Sequence, residues 1–249
     1  MANSKNLALS FLQASKNDLE ASRLLYKNSL YALSIFHLQQ SVEKALKAVL
    51  IYTRVAPEKE EELVNWLQKT AGHYVMKNLD KIAEGLMTVS HMKIKVIAKH
   101  LTQLLNKSLK QMKAKYCNEI KRIERLDITK YEDVEKLVDW LTKSSSVSTL
   151  NQRYSEAYVE IPFLIIKKIP TQLLDFLKQT IIQITRLGVI SLSLERFEAV
   201  SRYPDVKKQS LGPSLFTKEY PLVRKLDELQ NIVQDSINRL SGLIHHSPF

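Results

Sequence analysis

Apolar residues recur at helical spacing along most of the chain, and polar or helix-breaking residues mark where each run stops. Leu7, Phe11, Ala14, Ala21 and Leu25 follow one another at three, four or seven residues and predict a first helix with one face on a core. A second helix is expected from about Leu30 to Tyr52, and the short join at Asn28-Ser29 makes the two an antiparallel hairpin. Pro57, followed by Glu58, Glu60, Glu61 and Glu62, sets the start of a third helix, because carboxylates there oppose the positive end of the helix dipole. That helix carries Leu63, Trp66 and Leu67 and stops near Gly72, and a fourth follows from about Tyr74 to Met87. Ile94, Ile97, Ala98, Leu101, Leu104, Leu105, Leu109 and Met112 keep the same period through a fifth. Thr129 with Glu132 has the form of a capping box for a helix reaching about Lys143, after which KSSSVSTLNQ reads as a loop.

Pro162 and Pro170 interrupt the next apolar stretch, and a long helix is expected from about Gln172 to Ala199 with Leu173, Leu177, Ile181, Ile184 and Phe197 facing inward. S-R-Y-P-D at 201–205 ends it, since proline disfavours helical geometry at the residue before it. After a loop with Gly212-Pro213, Thr217 is positioned to cap a last helix striped by Leu222, Leu226, Leu229, Val233, Ile237, Leu240 and Ile244. No stretch alternates with period two. The pattern is all-α.

Composition agrees: 45% hydrophobic residues, with only 5 Gly and 7 Pro in 249 residues, leave few helix breakers. The single cysteine, Cys117, excludes an intrachain disulfide framework and points to a reducing compartment. MANSKNLALSFLQ lacks the long apolar core of a signal peptide, and Ile161 to Leu194 is interrupted by Lys167, Lys168, Asp175, Lys178 and Arg186. A cytoplasmic protein with no membrane association is the expectation.

Charge changes the picture more. The chain carries a formal +11, yet residues 1–90 hold only about +2, with eleven basic residues against nine acidic. Residues 91–125 hold ten basic residues against Glu119 and Glu124, a formal +8. Lys99, Lys107, Lys110 and Lys113 lie among the apolar positions of that fifth helix, giving it one greasy and one basic face. Such a face suits a polyanion such as nucleic acid, or is simply solvated.

A second anomaly sits in the second helix, where Gln39, Gln40, Glu43, Lys44 and Lys47 run through an otherwise apolar segment. Unpaired charge in a core costs several kcal/mol, so these residues line a polar cleft or cross-link helices or protomers. Glu43 and Lys47 are four apart in the favourable order for an ion pair.

The run LQQSVEKALKAVL from Leu38 to Leu50, preceded by Asp18-Leu19, Ala21 and Tyr31-Ala32, resembles the HEPN family (higher eukaryotes and prokaryotes nucleotide-binding domain). Arg202-Tyr203-Pro204-Asp205, the loop with Pro213 and the Phe216-Thr217-Lys218-Glu219 helix start extend the likeness, as does Gly72-His73 followed by Leu79. The resemblance implies an antiparallel helical bundle formed by 1–89 and 190–249. Residues 90–189 would then be a helical insertion carrying the basic helix, because the family's core is roughly half this length.

For function, the resemblance implies a protein that binds nucleotide or nucleic acid, mainly without catalysis. It further implies a homodimer, a small nucleotidyltransferase as partner and a toxin–antitoxin or defence setting. Lys44, Lys47, Arg202 and Tyr203, with Lys99, Lys107, Lys110 and Lys113, are the expected contacts to nucleotide or RNA. The alternative is metal-independent RNA cleavage by an Arg followed by a His after four to six residues near the last helix. Arg239 with His245, or with His246, has that spacing, although Leu240 stands where active members carry a polar group. Arginine would stabilise phosphate charge and imidazole would move a proton near neutral pH. A third reading is a helical assembly module with no nucleic-acid role. Neither a cofactor nor a metal is expected: there is no Gly-rich phosphate loop, no G-x-S-x-G and no HExxH, and His37, His73, His91 and His100 lack ligand spacing.

Overall fold

A computed structural model describes residues 2–53, 125–146, 148–150, 171–202 and 212–246, with isolated positions at 56, 62, 118, 119, 121, 122 and 152. The expected third, fourth and fifth helices, Lys99, Lys107, Lys110, Lys113 and Tyr203 lie outside the described residues. Within them the elements are α1 (Ala2–Lys27), α2 (Tyr31–Tyr52), α3 (Tyr131–Ser144), α4 (Thr171–Arg202), a 3₁₀ turn (Pro213–Leu215), α5 (Pro221–Arg224) and α6 (Leu226–His245). No strand occurs among the described residues, and the fold is an all-α bundle.

The α1–α2 hairpin closes where the sequence puts it. Leu30 N–H donates to Leu25 O at 2.9 Å and Ser29 N–H to Tyr26 O at 3.0 Å, the paired bonds of a Schellman cap. That cap needs a left-handed residue, and Ser29 takes it with φ 60°. The buried line of α1 differs from the expected stripe by one residue. Ala8, Leu12, Ser15, Leu19 and Ser22 are buried, while Leu7, Phe11, Ala14, Ala21 and Leu25 flank them half-buried. Two of the five central positions are serines, which an apolar stripe cannot reveal. Their small side chains admit α2 closely, and each hydroxyl donates to an α2 carbonyl, Ser15 to Ser41 O and Ser22 to Ser34 O, both at 2.7 Å.

α4 packs across α2 and against α3 and α6, and it is central rather than one-sided. Every residue from Ile181 to Leu194 is buried, which is why a helix apolar on all sides is tolerated here. Thr180, Thr185 and Ser193 donate within the helix to the carbonyls of Phe176, Ile181 and Val189, while the buried Ser191 hydroxyl has no partner among the described residues. The helix is unbroken from Thr171 to Arg202, so position 190 falls inside it.

At the far end of α4, Phe197, Phe216 and Tyr220 stack edge to face with centroids 5.3–6.4 Å apart. They seat the chain as it returns toward α6. Tyr220 Oη donates to Ile128 O at 2.8 Å, and burial pushes the phenol well above its usual range. Pro221 opens α5, four residues after Thr217, and Thr217 makes no capping bond. The cap of α3 also differs from expectation. No side chain caps it; Asp127 accepts from the Thr129 N–H and hydroxyl, while Asp133 accepts from the Asp127 N–H at 3.1 Å. Aspartate outcompetes Thr129 because its carboxylate reaches the turn's donors and carries full charge.

Candidate functional site

Three helices meet at Asp235. Arg186, in the middle of α4 and only 6% exposed, donates from Nη1 to Asp235 Oδ2 at 2.5 Å. The same guanidinium donates from Nε to Ser145 O at 2.8 Å, at the end of α3, and Nη1 lies 3.4 Å from Ser236 Oγ. The other Asp235 oxygen accepts from Arg239 Nε at 2.9 Å, one turn on along α6. Burial pushes the Asp235 carboxyl up, but hydrogen bonds and charge from Arg186 and Arg239 more than offset it and hold the group below its ordinary value.

Arg239 is half exposed and lines a cavity of about 490 Å³ with Gln172, Asp175, Phe176, Gln179, Gly242, Leu243 and His246. Seven residues are two helical turns, so His246 returns to the face that carries Arg239; six residues place His245 about a third of a turn away. The cavity accordingly takes His246 and not His245. His245 is exposed at the helix end, where its carbonyl accepts from Lys5 Nζ at 3.1 Å. Of the two histidines that fit the spacing, His246 shares the lining of this cavity with Arg239. On the other side of Asp235 a second cavity of about 550 Å³ is lined by Thr142, Ser146, Arg186, Asp227, Glu228, Asn231, Ile232 and Asp235.

The polar string of α2 is differently arranged. Lys44 Nζ donates to Asp18 Oδ2 on α1, and His37 Nδ1 lies 3.1 Å from the other oxygen of the same carboxylate. Lys47 Nζ donates to Glu43 Oε1. Both expected lysine contacts are therefore engaged by carboxylates, and the Lys44 bond ties α1 to α2. Gln39 is fully buried, with no partner for its Oε1 among the described residues. Arg202, at the end of α4, lies over the Phe36 ring at 4.9 Å and donates to Glu198 at 3.0 Å. Phe36 stacks edge-on with His37, so Arg202 and Lys44 belong to one run of contacts through Phe36, His37 and Asp18.

Sequence spacing had part of this in reach. Asp235 and Arg239 are an i,i+4 pair in the favourable order, and Asp18 belongs to the family-like segment. Arg186 left no such trace, because a lone arginine in an apolar run reads as an interruption until the bundle closes around it. Among the described residues no group of three or more His, Cys, Asp or Glu side chains could hold a metal ion. Nor is any described helix long and apolar enough to cross a membrane.

A helical hairpin tied by the part-buried Lys44–Asp18 pair and closed by a returning C-terminal helix defines the class as an all-α antiparallel bundle. A sequence model of the HEPN domain matches residues 8–157, well over half of the chain, and the protein belongs to the HEPN family. The match runs through the basic segment 91–125. Among curated proteins, a Methanocaldococcus jannaschii protein described as a putative toxin is 49% identical over 41 residues. Those residues are 16% of this chain and 27% of that protein, so the likeness spans about a quarter of the relative. No solved structure matches.

Proposed function

We propose that this HEPN protein binds RNA or a nucleotide through the cavity between α4 and α6, and that it does so as the toxin-like member of a toxin–antitoxin or defence pair. One observation carries the reading: Arg239 and His246 line a single cavity of about 490 Å³ together with the amides of Gln172 and Gln179. Arginine matches phosphate in a bidentate manner, and the glutamines add donors and acceptors for sugar or base. The volume is that of a small-molecule site. The likeness to a putative toxin supports the setting, and a small nucleotidyltransferase is the partner class that the HEPN resemblance implies. Anisotropy of a fluorescein-labelled single-stranded RNA 12-mer, with and without competing ATP, tests the reading. Arg239→Ala and His246→Ala should each weaken RNA binding about tenfold, as loss of a charged hydrogen bond would. Unchanged binding by Arg239→Ala would sink it.

Cleavage is the second reading, favoured by the same pairing of a guanidinium with an imidazole that can take and return a proton. Incubation with RNA in excess EDTA, beside Arg239→Ala, His245→Ala and His246→Ala, separates it from binding alone. Equal product in all four samples means a contaminating nuclease. Loss with Arg239→Ala and His246→Ala assigns cleavage to this cavity.

A further inference from the structure

The cavity's arginine does not stand alone, and the rest of the ion-pair chain has a role of its own. An exposed i,i+4 pair by itself orders a side chain only weakly. Here the carboxylate is anchored from the other side. Arg186 is buried in α4, fixed by Ser145 O at 2.8 Å, and meets Asp235 Oδ2 at 2.5 Å. Asp235 in turn takes Arg239 by Nε, at 2.9 Å. Nε is the guanidinium nitrogen nearest the chain, and holding it fixes the plane of the fork while both Nη groups stay available, since neither bonds a described residue.

We propose that Asp235 is a positioning residue: braced by buried Arg186, it holds the Arg239 guanidinium in one orientation at the cavity so that its two Nη groups can grip a phosphate. This rests on the cavity reading above. Its consequence runs against simple electrostatics. Asp235 is an acidic group beside an anion site, so removing its charge should tighten RNA binding if only the net field mattered. If it positions Arg239, removal weakens binding, because the freed arginine must be ordered anew for each ligand.

The test is a two-by-two set, wild type, Asp235→Asn, Arg239→Ala and the double variant, each binding the labelled RNA 12-mer at one salt concentration, with folding checked by thermal unfolding. Arg239→Ala is expected to weaken binding about tenfold and Asp235→Asn about threefold to tenfold, while Asp235→Asn added to Arg239→Ala causes no further loss. Asp235→Glu keeps the charge and serves as the readout should Asp235→Asn fail to fold; its added methylene displaces Nε and should also weaken binding. No effect of Arg239→Ala overturns the cavity reading itself. Weaker binding by Arg239→Ala with equal or tighter binding by both Asp235 variants overturns positioning and leaves the cavity reading standing. A loss from Asp235→Asn that is just as large in the Arg239→Ala background also overturns it, since the carboxylate would then act by another route.

Discussion

Ser22 and Ser34 exchange hydrogen bonds with each other's backbone: the Ser22 hydroxyl donates to Ser34 O and the Ser34 hydroxyl to Ser22 O, both at 2.7 Å. Gln230 of α6 reaches in and donates from Nε2 to the two hydroxyl oxygens at 2.9 and 3.3 Å. Each serine thereby gives one bond and receives one, and a single buried amide joins α6 to both arms of the hairpin. Substituting Ser22 by leucine should cost about 2–4 kcal/mol, from overpacking a close helix contact and from the orphaned donors of Gln230. Ser22→Ala, which keeps the close approach, should cost about 1–2 kcal/mol. Urea unfolding of the two variants checks the order; a stable Ser22→Leu protein would mean that α1 and α2 do not approach as described.

The hairpin turn offers a gain rather than a loss. Ser29 sits at φ 60°, where a side chain costs about 1 kcal/mol and glycine costs little. Its hydroxyl accepts only an exposed bond from Tyr31 Oη, at 3.3 Å. Ser29→Gly should therefore stabilise the protein by up to about 1 kcal/mol. A lower melting temperature for this variant would contradict the left-handed cap.

Asp18 holds Lys44 and His37 at once, but the lysine side chain is 35% exposed and solvent screens the pair. A double-mutant cycle of Asp18→Ala and Lys44→Ala should give a coupling of about 0.5–1 kcal/mol, reduced at high salt. Coupling indistinguishable from zero at low salt would remove this bond as a tie between α1 and α2.

The Asp235 carboxyl has a folded-state pKa below its ordinary value. Its contribution to stability is then fully present above the unfolded value, about 3.9, and is lost as pH falls through the lower folded value. The difference in melting temperature between wild type and Asp235→Asn should be constant above about pH 5 and close as the solution is taken below about pH 4. A difference that widens on acidification would reverse the sign of the interaction.

Lys99, Lys107, Lys110 and Lys113 lie outside the described residues, and the sequence alone motivates their test. If their helix contacts RNA, the logarithm of affinity falls with that of salt by roughly 0.7 per phosphate on a single strand. Reversing all four charges to glutamate should lower that slope by two or more. An unchanged slope would make the face a solvated one.

Helical periodicity alone determined much of this protein: the hairpin and its turn at Asn28-Ser29, the long helix near 172–199, the last helix and the all-α class. Apolar spacing decides these because burying one face of a helix is the dominant gain, and the gain is local to each segment. The family was legible too, in LQQSVEKALKAVL, which lies within the matched residues. Closure was not. Which line of α1 lies deepest depended on two serines whose partners are 12 and 26 residues away. The pairing of Lys44 with Asp18 required α1 to lie against α2. Only the tertiary structure set Arg186 against Asp235, 49 residues later, and so turned an unremarkable helical pair into an anchored arginine at the mouth of a cavity. Spacing along α6 puts His246 on the face of Arg239, but that this face opens on a cavity followed from where the wall of α4 stands.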